Sequence, residues 1–300
     1  MPIDVALLGC GHPHVADVLG VIASEPDLRL AAAWDEDVVP GPISHVSVSR
    51  AETAIARAHA VVICAPTDQR PALCVQAARA GRPLLVEKPI ALTAADARAV
   101  VREVERSRTP GLAALFLREL PALRRLRAML QARVLGRLAS VSAAFAHAGA
   151  IEGMFEGPRA WMRDPRRAGV GGFGDLGLHL VDALAVLAPD EPPVIAATTL
   201  DGNLGGAAVG RAAGVPLTLH AGWATSPGGL ELSIAGSAGT AVLREGVIHV
   251  GDERWVGAPP DAGEAVRAFA ACLRVRRFPR DGLERAASAQ HVLESAIALR

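Results

Sequence analysis

The chain has 300 residues, 51% hydrophobic and 21% charged, which describes a globular protein with a large core and excludes a disordered or fibrous one. Its length exceeds the usual single domain, so two domains are expected. Lys plus Arg equals Asp plus Glu at 31 each and tyrosine is absent, so neither the basic field nor the stacking surface of a nucleic-acid binder is present, and a small-molecule substrate is expected instead.

No apolar run approaches the roughly 18 residues that a membrane span needs, and the start MPIDVALLGCG lacks a basic leader. The sequence therefore predicts a cytoplasmic protein with no membrane partner. Cys10, Cys64, Cys74 and Cys272 show neither CxxC spacing nor a clustered histidine, so they read as reduced, buried thiols, and no metal site is expected.

From residue 3 to about 118, short apolar runs alternate with helical periodicity, the pattern of a parallel sheet with crossover helices. Strands are predicted at 3–8, 28–34, 60–64, 83–86 and 112–116, with helices at 13–23, 70–80 and 94–107. The order is that of a doubly wound α/β fold.

Within this half, VALLGCGHPHVADVL places Gly9 and Gly11 directly after a strand and before a helix, where a G-x-G turn lets backbone amides approach a pyrophosphate. Pro13 fits the first helical turn. His14 stands where such motifs have a third glycine, and His12 either approaches the cofactor or is an exposed turn histidine.

Asp35 closes the second strand, where a carboxylate accepts hydrogen bonds from the adenosine ribose. Asp35, Glu36 and Asp37 repel a 2'-phosphate and the next arginine is Arg50, so NAD is favoured over NADP. A solvated acidic turn is the alternative. After the strand PLLV comes Glu87-Lys88-Pro89, which sets Lys88 at the crevice end of a central strand, with a cis bond to Pro89 expected. A solvated lysine at a strand end is the plainer reading.

After Arg118 come a helix at 122–131 and strand-like alternation at 140–147, 216–224 and 230–235, so antiparallel pairing is expected. Helices at 175–187, 264–275 and 283–299 would cover one face of that sheet, giving an α+β second half. The division is placed between domains 1–118 and 119–300.

In GGFGDLGLHLVDAL, Asp175, His179 and Asp182 fall at i, i+4 and i+7 on one helix face. Asp175 as a helix cap with His179 in the core is the alternative. Oxidising a secondary alcohol needs a base for the hydroxyl proton, and a neutral imidazole suits that task at working pH. His179 is the first choice, Asp175 or Asp182 would orient it, and Lys88 would stabilise the developing alkoxide.

These residues together resemble the glucose-fructose oxidoreductase, inositol dehydrogenase and MocA family, which carries G-x-G-x-x-x near the start, E-K-P midway and D-x-G-x-H later. APTDQR is similar to its P-x-x-x-H loop, with Arg70 in place of histidine, LREL-P to its R-F-x-P linker, and WMRDP to its W-x-x-D-P stretch.

The resemblance implies a Rossmann domain followed by a domain with an open mixed sheet, an active site between them, and dimers or tetramers built on that sheet. It implies a catalytic set of Lys88, Asp175 and His179, cofactor contacts extending through Ala65, Pro66, Thr67 and Glu87, and a substrate pocket near Arg118, His147, Trp161 and Arg163. The implied activity is hydride transfer between NAD and a secondary alcohol or ketone of a sugar, polyol or related cyclic molecule. A catalytically silent, NAD-responsive regulatory protein of the same fold is the rival reading.

Overall fold

The computed structural model describes residues 2–37, 39–169 and 171–298. In chain order the first elements are β1 (Ile3–Leu8), α1 (Val15–Ser24), β2 (Leu28–Trp34), α2 (Ala51–Arg57), β3 (Ala60–Ile63), α3 (Arg70–Arg79), β4 (Leu84–Val86), α4 (Ala94–Arg106) and β5 (Gly111–Ala113). Their strands form a parallel sheet in the order β2-β1-β3-β4-β5.

The buried strands explain why a parallel sheet forms here. All four residues of β3 and all three of β4 are buried, as happens when helices cover both faces. The crossover helices supply that cover. In α4, Ala94, Ala97, Val100, Val101 and Val104 make one buried stripe, and the Thr93 hydroxyl oxygen accepts the Asp96 N–H at 3.1 Å to cap its start. Such a cap contributes about 1 kcal/mol.

Then follow α5 (Pro121–Gln131), β6 (Leu138–Ala146), α6 (Pro165–Ala168), α7 (Gly171–Leu187), β7 (Val194–Asp201), β8 (Gly205–Ala212), β9 (Val215–Gly222), β10 (Gly229–Gly236), β11 (Gly239–Arg244), β12 (Val247–Val250), β13 (Glu253–Val256), α8 (Gly263–Val275) and α9 (Glu284–Ile297). A second sheet runs β13-β12-β11-β10-β6-β9-β8-β7. Only β6 and β9 pair in parallel within it, which makes it the mixed, mostly antiparallel sheet expected.

Its hairpins turn tightly. Ala213 and Gly214 have φ of 49° and 74°, and Glu245 and Gly246 have 47° and 84°. Two successive positive φ values make the turn whose twist matches antiparallel strands. Burial alternates along β9, so one face of this sheet is covered and the other is not.

The chain forms two compact units that are not contiguous in sequence. The first comprises 1–114, 155–169 and 262–288, and the second comprises 115–154, 170–261 and 289–300. The expected division at 118/119 therefore shifts to 114/115, and two later segments return to the first unit. Helix α8, expected over the second sheet, packs instead on α1. Arg274 at its end pairs with Glu25 and Asp27, at 2.5 and 2.6 Å.

Two other expectations change. Pro13 precedes the helix rather than opening it, because α1 starts at Val15 with His14 as its N-cap. Gly171, Gly172 and Gly174 lie inside α7, not ahead of it. A Cβ on Gly172 would stand 2.1 Å from the Leu204 carbonyl oxygen, so the glycine sets how closely α7 meets that turn.

By length and composition alone the stretch 165–187 would pass as a membrane-crossing helix. Its most apolar window is 82% buried, the position of a core helix.

Candidate functional site

The glycine turn after β1 is built by close backbone approach. Gly9 has φ of 89°, and a Cβ there would lie 2.1 Å from the Ala65 backbone nitrogen. No other residue fits, because both the conformation and the space exclude a side chain.

Asp35 follows β2 and grips the same turn. One carboxylate oxygen accepts the Cys10 N–H and the other accepts the Asp37 N–H at 2.9 Å. A carboxylate has about four lone-pair sites, so both oxygens keep acceptor capacity for a further hydroxyl.

Beside this turn lies a cavity of about 300 Å³, lined by Cys10, Gly11, Asp35, Glu36, Pro66 and Gln69 on one side and by Pro158, Trp161 and Arg167 on another. It lies beside the segments that follow the carboxyl ends of β1, β2 and β3, the place where open parallel sheets bind ligands. Thr67, in the loop after β3, is buried.

Trp161, expected near the substrate, donates its indole N–H to the Gly11 carbonyl at 3.3 Å and lines this cavity. Arg163, from the same 3₁₀ segment Gly157–Arg163, is an exposed residue of the first unit. The sequence reading missed Arg167. Its guanidinium is 3.5 Å from Glu36 and 3.4 Å from Asp68, and its carbonyl accepts the Asp68 N–H at 3.1 Å. Arg50, the arginine considered from sequence, pairs with Glu52 on the surface.

Glu87 sits at the centre of a buried polar group. Its carboxylate accepts from His14 Nδ1 at 2.9 Å and from its neighbour's backbone, Lys88 N–H, at 3.2 Å. His12 Nε2 is 4.0 Å away. Burial pushes the Glu87 pKa up, but His14, His12 and Lys88 outweigh it and hold the carboxyl well below the usual carboxylate range. His14, the departure from a third glycine, thus serves as a donor to Glu87.

His12 is buried, and burial holds its pKa well below the ordinary histidine value, with Glu87 opposing. Its Nδ1 accepts the His14 N–H at 3.2 Å, so the neutral ring carries its proton on Nε2. His12, His14 and Glu87 have ligand atoms within 4.8 Å of one another, a spacing that suits a metal. The Nε2 proton argues instead for a hydrogen-bonded cluster, because that nitrogen would have to lose it to become a ligand.

Lys88 is buried beside this cluster, and the Lys88–Pro89 bond is cis, as expected. Arg70, which replaces the family's histidine, is fully buried. It donates to the carbonyls of Ala65 at 2.8 Å and Pro89 at 2.7 Å and stacks over Trp161. It ties the loop after β3 to the loop after β4, the two segments that flank the glycine turn and Lys88.

The remaining predicted residues lie in the second unit. Asp175 accepts the Trp223 indole N–H at 2.9 Å. His179 is buried, with its ring centroid 4.4 Å from Phe116 and 5.9 Å from Phe145. Asp182 takes a two-pronged ion pair from Arg118, with Nε at 3.0 Å. Arg118, expected at the substrate, is thus committed to a buried carboxylate. His147 Nδ1 accepts the Gly149 N–H at 2.9 Å, a contact that stabilises its own turn.

Comparison with known proteins places this geometry. Residues 3–110 match the model of an oxidoreductase family with an NAD-binding Rossmann fold, and residues 123–242 match the GFO/IDH/MocA C-terminal domain. Levoglucosan dehydrogenase from Pseudarthrobacter phenanthrenivorans is 25% identical over 124 residues, 41% of this chain. That match spans only 31% of the relative's length.

Two solved structures show the same fold. A levoglucosan dehydrogenase in complex with NADH and levoglucosan superposes with a TM-score of 0.83 at 17% identity, covering 100% of this chain and 97% of that one. A 3-ketoreductase from Actinomadura kijaniata, in complex with NADP and TDP-benzene, has a TM-score of 0.83 at 19% identity, covering 99% of this chain and 98% of that one.

Proposed function

The chain belongs to the GFO/IDH/MocA family of oxidoreductases, and on that premise we propose that it transfers a hydride between a nicotinamide dinucleotide and a secondary alcohol or ketone of a sugar, polyol or related cyclic molecule. The observation that carries this reading is the cavity lined by Cys10 and Gly11 of the glycine turn and by Asp35, whose carboxylate accepts the Cys10 N–H. Those residues fit a dinucleotide: glycine where only glycine fits, amides for phosphate, and a carboxylate for ribose.

NAD is preferred to NADP in this proposal because Asp35, Glu36 and Asp37 crowd the ribose end. The relatives support a sugar-like substrate, since one is solved with levoglucosan.

When bound, the nicotinamide supplies the hydride acceptor or donor. His179 takes the hydroxyl proton, Lys88 donates a hydrogen bond to the reacting oxygen, and Asp175, held by Trp223, orients polar groups of the substrate. Reduction runs the same groups as acids. A cytoplasmic setting, in which the four cysteines stay as reduced thiols, is part of this proposal. The uncovered face of the second sheet is the surface on which a dimer or tetramer would assemble.

The test is turnover of a panel of sugars, polyols and cyclic diols, read at the NADH absorbance. His179→Ala and Lys88→Ala should each lower kcat by about 10²- to 10⁴-fold while NAD binding is kept. Full turnover by both variants would remove this mechanism. One observation favours a second reading, a catalytically silent, NAD-responsive protein: His179 is buried against two phenylalanine rings, a setting that withholds an imidazole from proton transfer with a substrate. Dinucleotide binding with no turnover on any member of the panel would support that reading.

A further inference from the structure

We propose that Arg167 and Glu36 form a masked cation that selects the cofactor: Glu36 neutralises an arginine at the ribose end of the cavity, so the site takes an adenosine with a free 2'-hydroxyl, and loss of that one carboxylate admits a 2'-phosphate. The inference rests on the dinucleotide reading above and names which dinucleotide the site takes and why.

The argument starts from where Arg167 comes from. It lies on α6, in a segment that returns to the first unit from the far side of β6, and lines the same cavity as Asp35 and Glu36. Its backbone is fixed by the Asp68 N–H, and α6 is capped by Asp164, whose carboxylate accepts the Arg166 N–H at 3.0 Å. Trp161 is held to Gly11 by its indole, so this wall of the cavity is anchored at two points. The cation is therefore a built feature of the pocket and not a loose surface side chain.

Its charge is occupied. The guanidinium meets Glu36 at 3.5 Å and Asp68 at 3.4 Å, and Glu36 also accepts from the Gln69 amide. Around it stand the carboxylates of Asp35, Glu36, Asp37 and Asp68, four negative groups against one positive. A doubly charged 2'-phosphate entering there would meet net repulsion, whereas a neutral hydroxyl would not. Removing the Glu36 charge leaves three carboxylates in place of four and the arginine paired through its Nε to Asp68 alone, so the terminal guanidinium nitrogens are released to meet phosphate oxygens and the repulsion is reduced.

Glu36 is a mostly exposed side chain, so Glu36→Gln should fold normally and keep the acceptor for Gln69. The experiment titrates NADH and NADPH into the full-length wild type, Glu36→Gln, and the double variant Glu36→Gln/Arg167→Gln, following cofactor fluorescence. The wild type should prefer NADH. Glu36→Gln should bind NADPH roughly tenfold more tightly than the wild type, with NADH changed less than about threefold, and the double variant should lose that gain.

An unchanged NADPH affinity in Glu36→Gln, a gain that survives in the double variant, or a wild type that prefers NADPH would each overturn the inference while leaving dinucleotide binding intact. A wild type that binds neither cofactor would sink the dinucleotide reading itself, and this one with it.

Discussion

The Nδ1 atom of His14 lies 2.9 Å from Oε1 of Glu87, joining the N-cap of α1 to the end of β4 across 73 residues of chain. The contact gives a bulky residue a purpose where a third glycine stands in related motifs, because His14 supplies a donor to a buried carboxylate. A hydrogen bond to a charged group contributes about 1.5–3 kcal/mol, so His14→Ala should lower stability in urea unfolding by about that amount. Loss of less than about 0.5 kcal/mol would show that Glu87 is held by its other partners alone.

The same cluster predicts acid sensitivity. His12 is buried with its pKa below 6.5, so as pH falls below about 6.5 the unfolded chain binds a proton that the native one refuses, and stability drops. Glu87, held below its ordinary 4.5, adds stability above that value that is lost as pH falls through its native pKa. Tm measured from pH 7.5 down to 2.5 should therefore fall in two stages, the first below about pH 6.5 and the second below about pH 4.5. The upper stage should vanish in His12→Asn, and a Tm flat to pH 5 in the wild type would contradict the burial argument.

Arg118 and Asp182 make a second buried pair, with side-chain exposures of 13% and 2%. Removing one partner strands the other charge in the core, at a cost of about 3–5 kcal/mol. Asp182→Ala and Arg118→Ala should each lose most of the stability of the second unit by denaturant melting, while Arg118→Met/Asp182→Leu should recover much of it. A double variant as unstable as the singles would mean that packing, not charge, explains the loss.

The thiols offer a chemical check. Burial pushes Cys74 up to about 12, and burial with Asp35 nearby does the same for Cys10. Only Cys272, which is partly exposed, should react promptly with a thiol reagent at pH 8 in the native protein, and the other three should appear after unfolding. Rapid native reaction of Cys10 would show that the cavity beside the glycine turn admits the reagent to a thiolate.

Much of the fold was legible because hydrophobic periodicity is a local property. Residues 3–8 and 28–34 form strands with the boundaries read from sequence, and α3 and α4 end within one residue of expectation. Strands β7, β8 and β11–β13 were missed. Their alanines, glycines and alternate exposure give weak β patterns, and pairing with neighbours, not intrinsic preference, makes them strands.

By itself, the sequence determined the glycine turn, the acidic end of β2, the E-K-P lysine and the Asp175–His179 helix face, because each is a short motif whose spacing carries its meaning. Only the tertiary structure decided that Trp161 reaches Gly11 across 150 residues and that Arg167 reaches Asp68 across 99. It also decided that Arg118 belongs to Asp182. Such contacts depend on the path of the whole chain, since nothing in a local window states which distant loop will return to meet it.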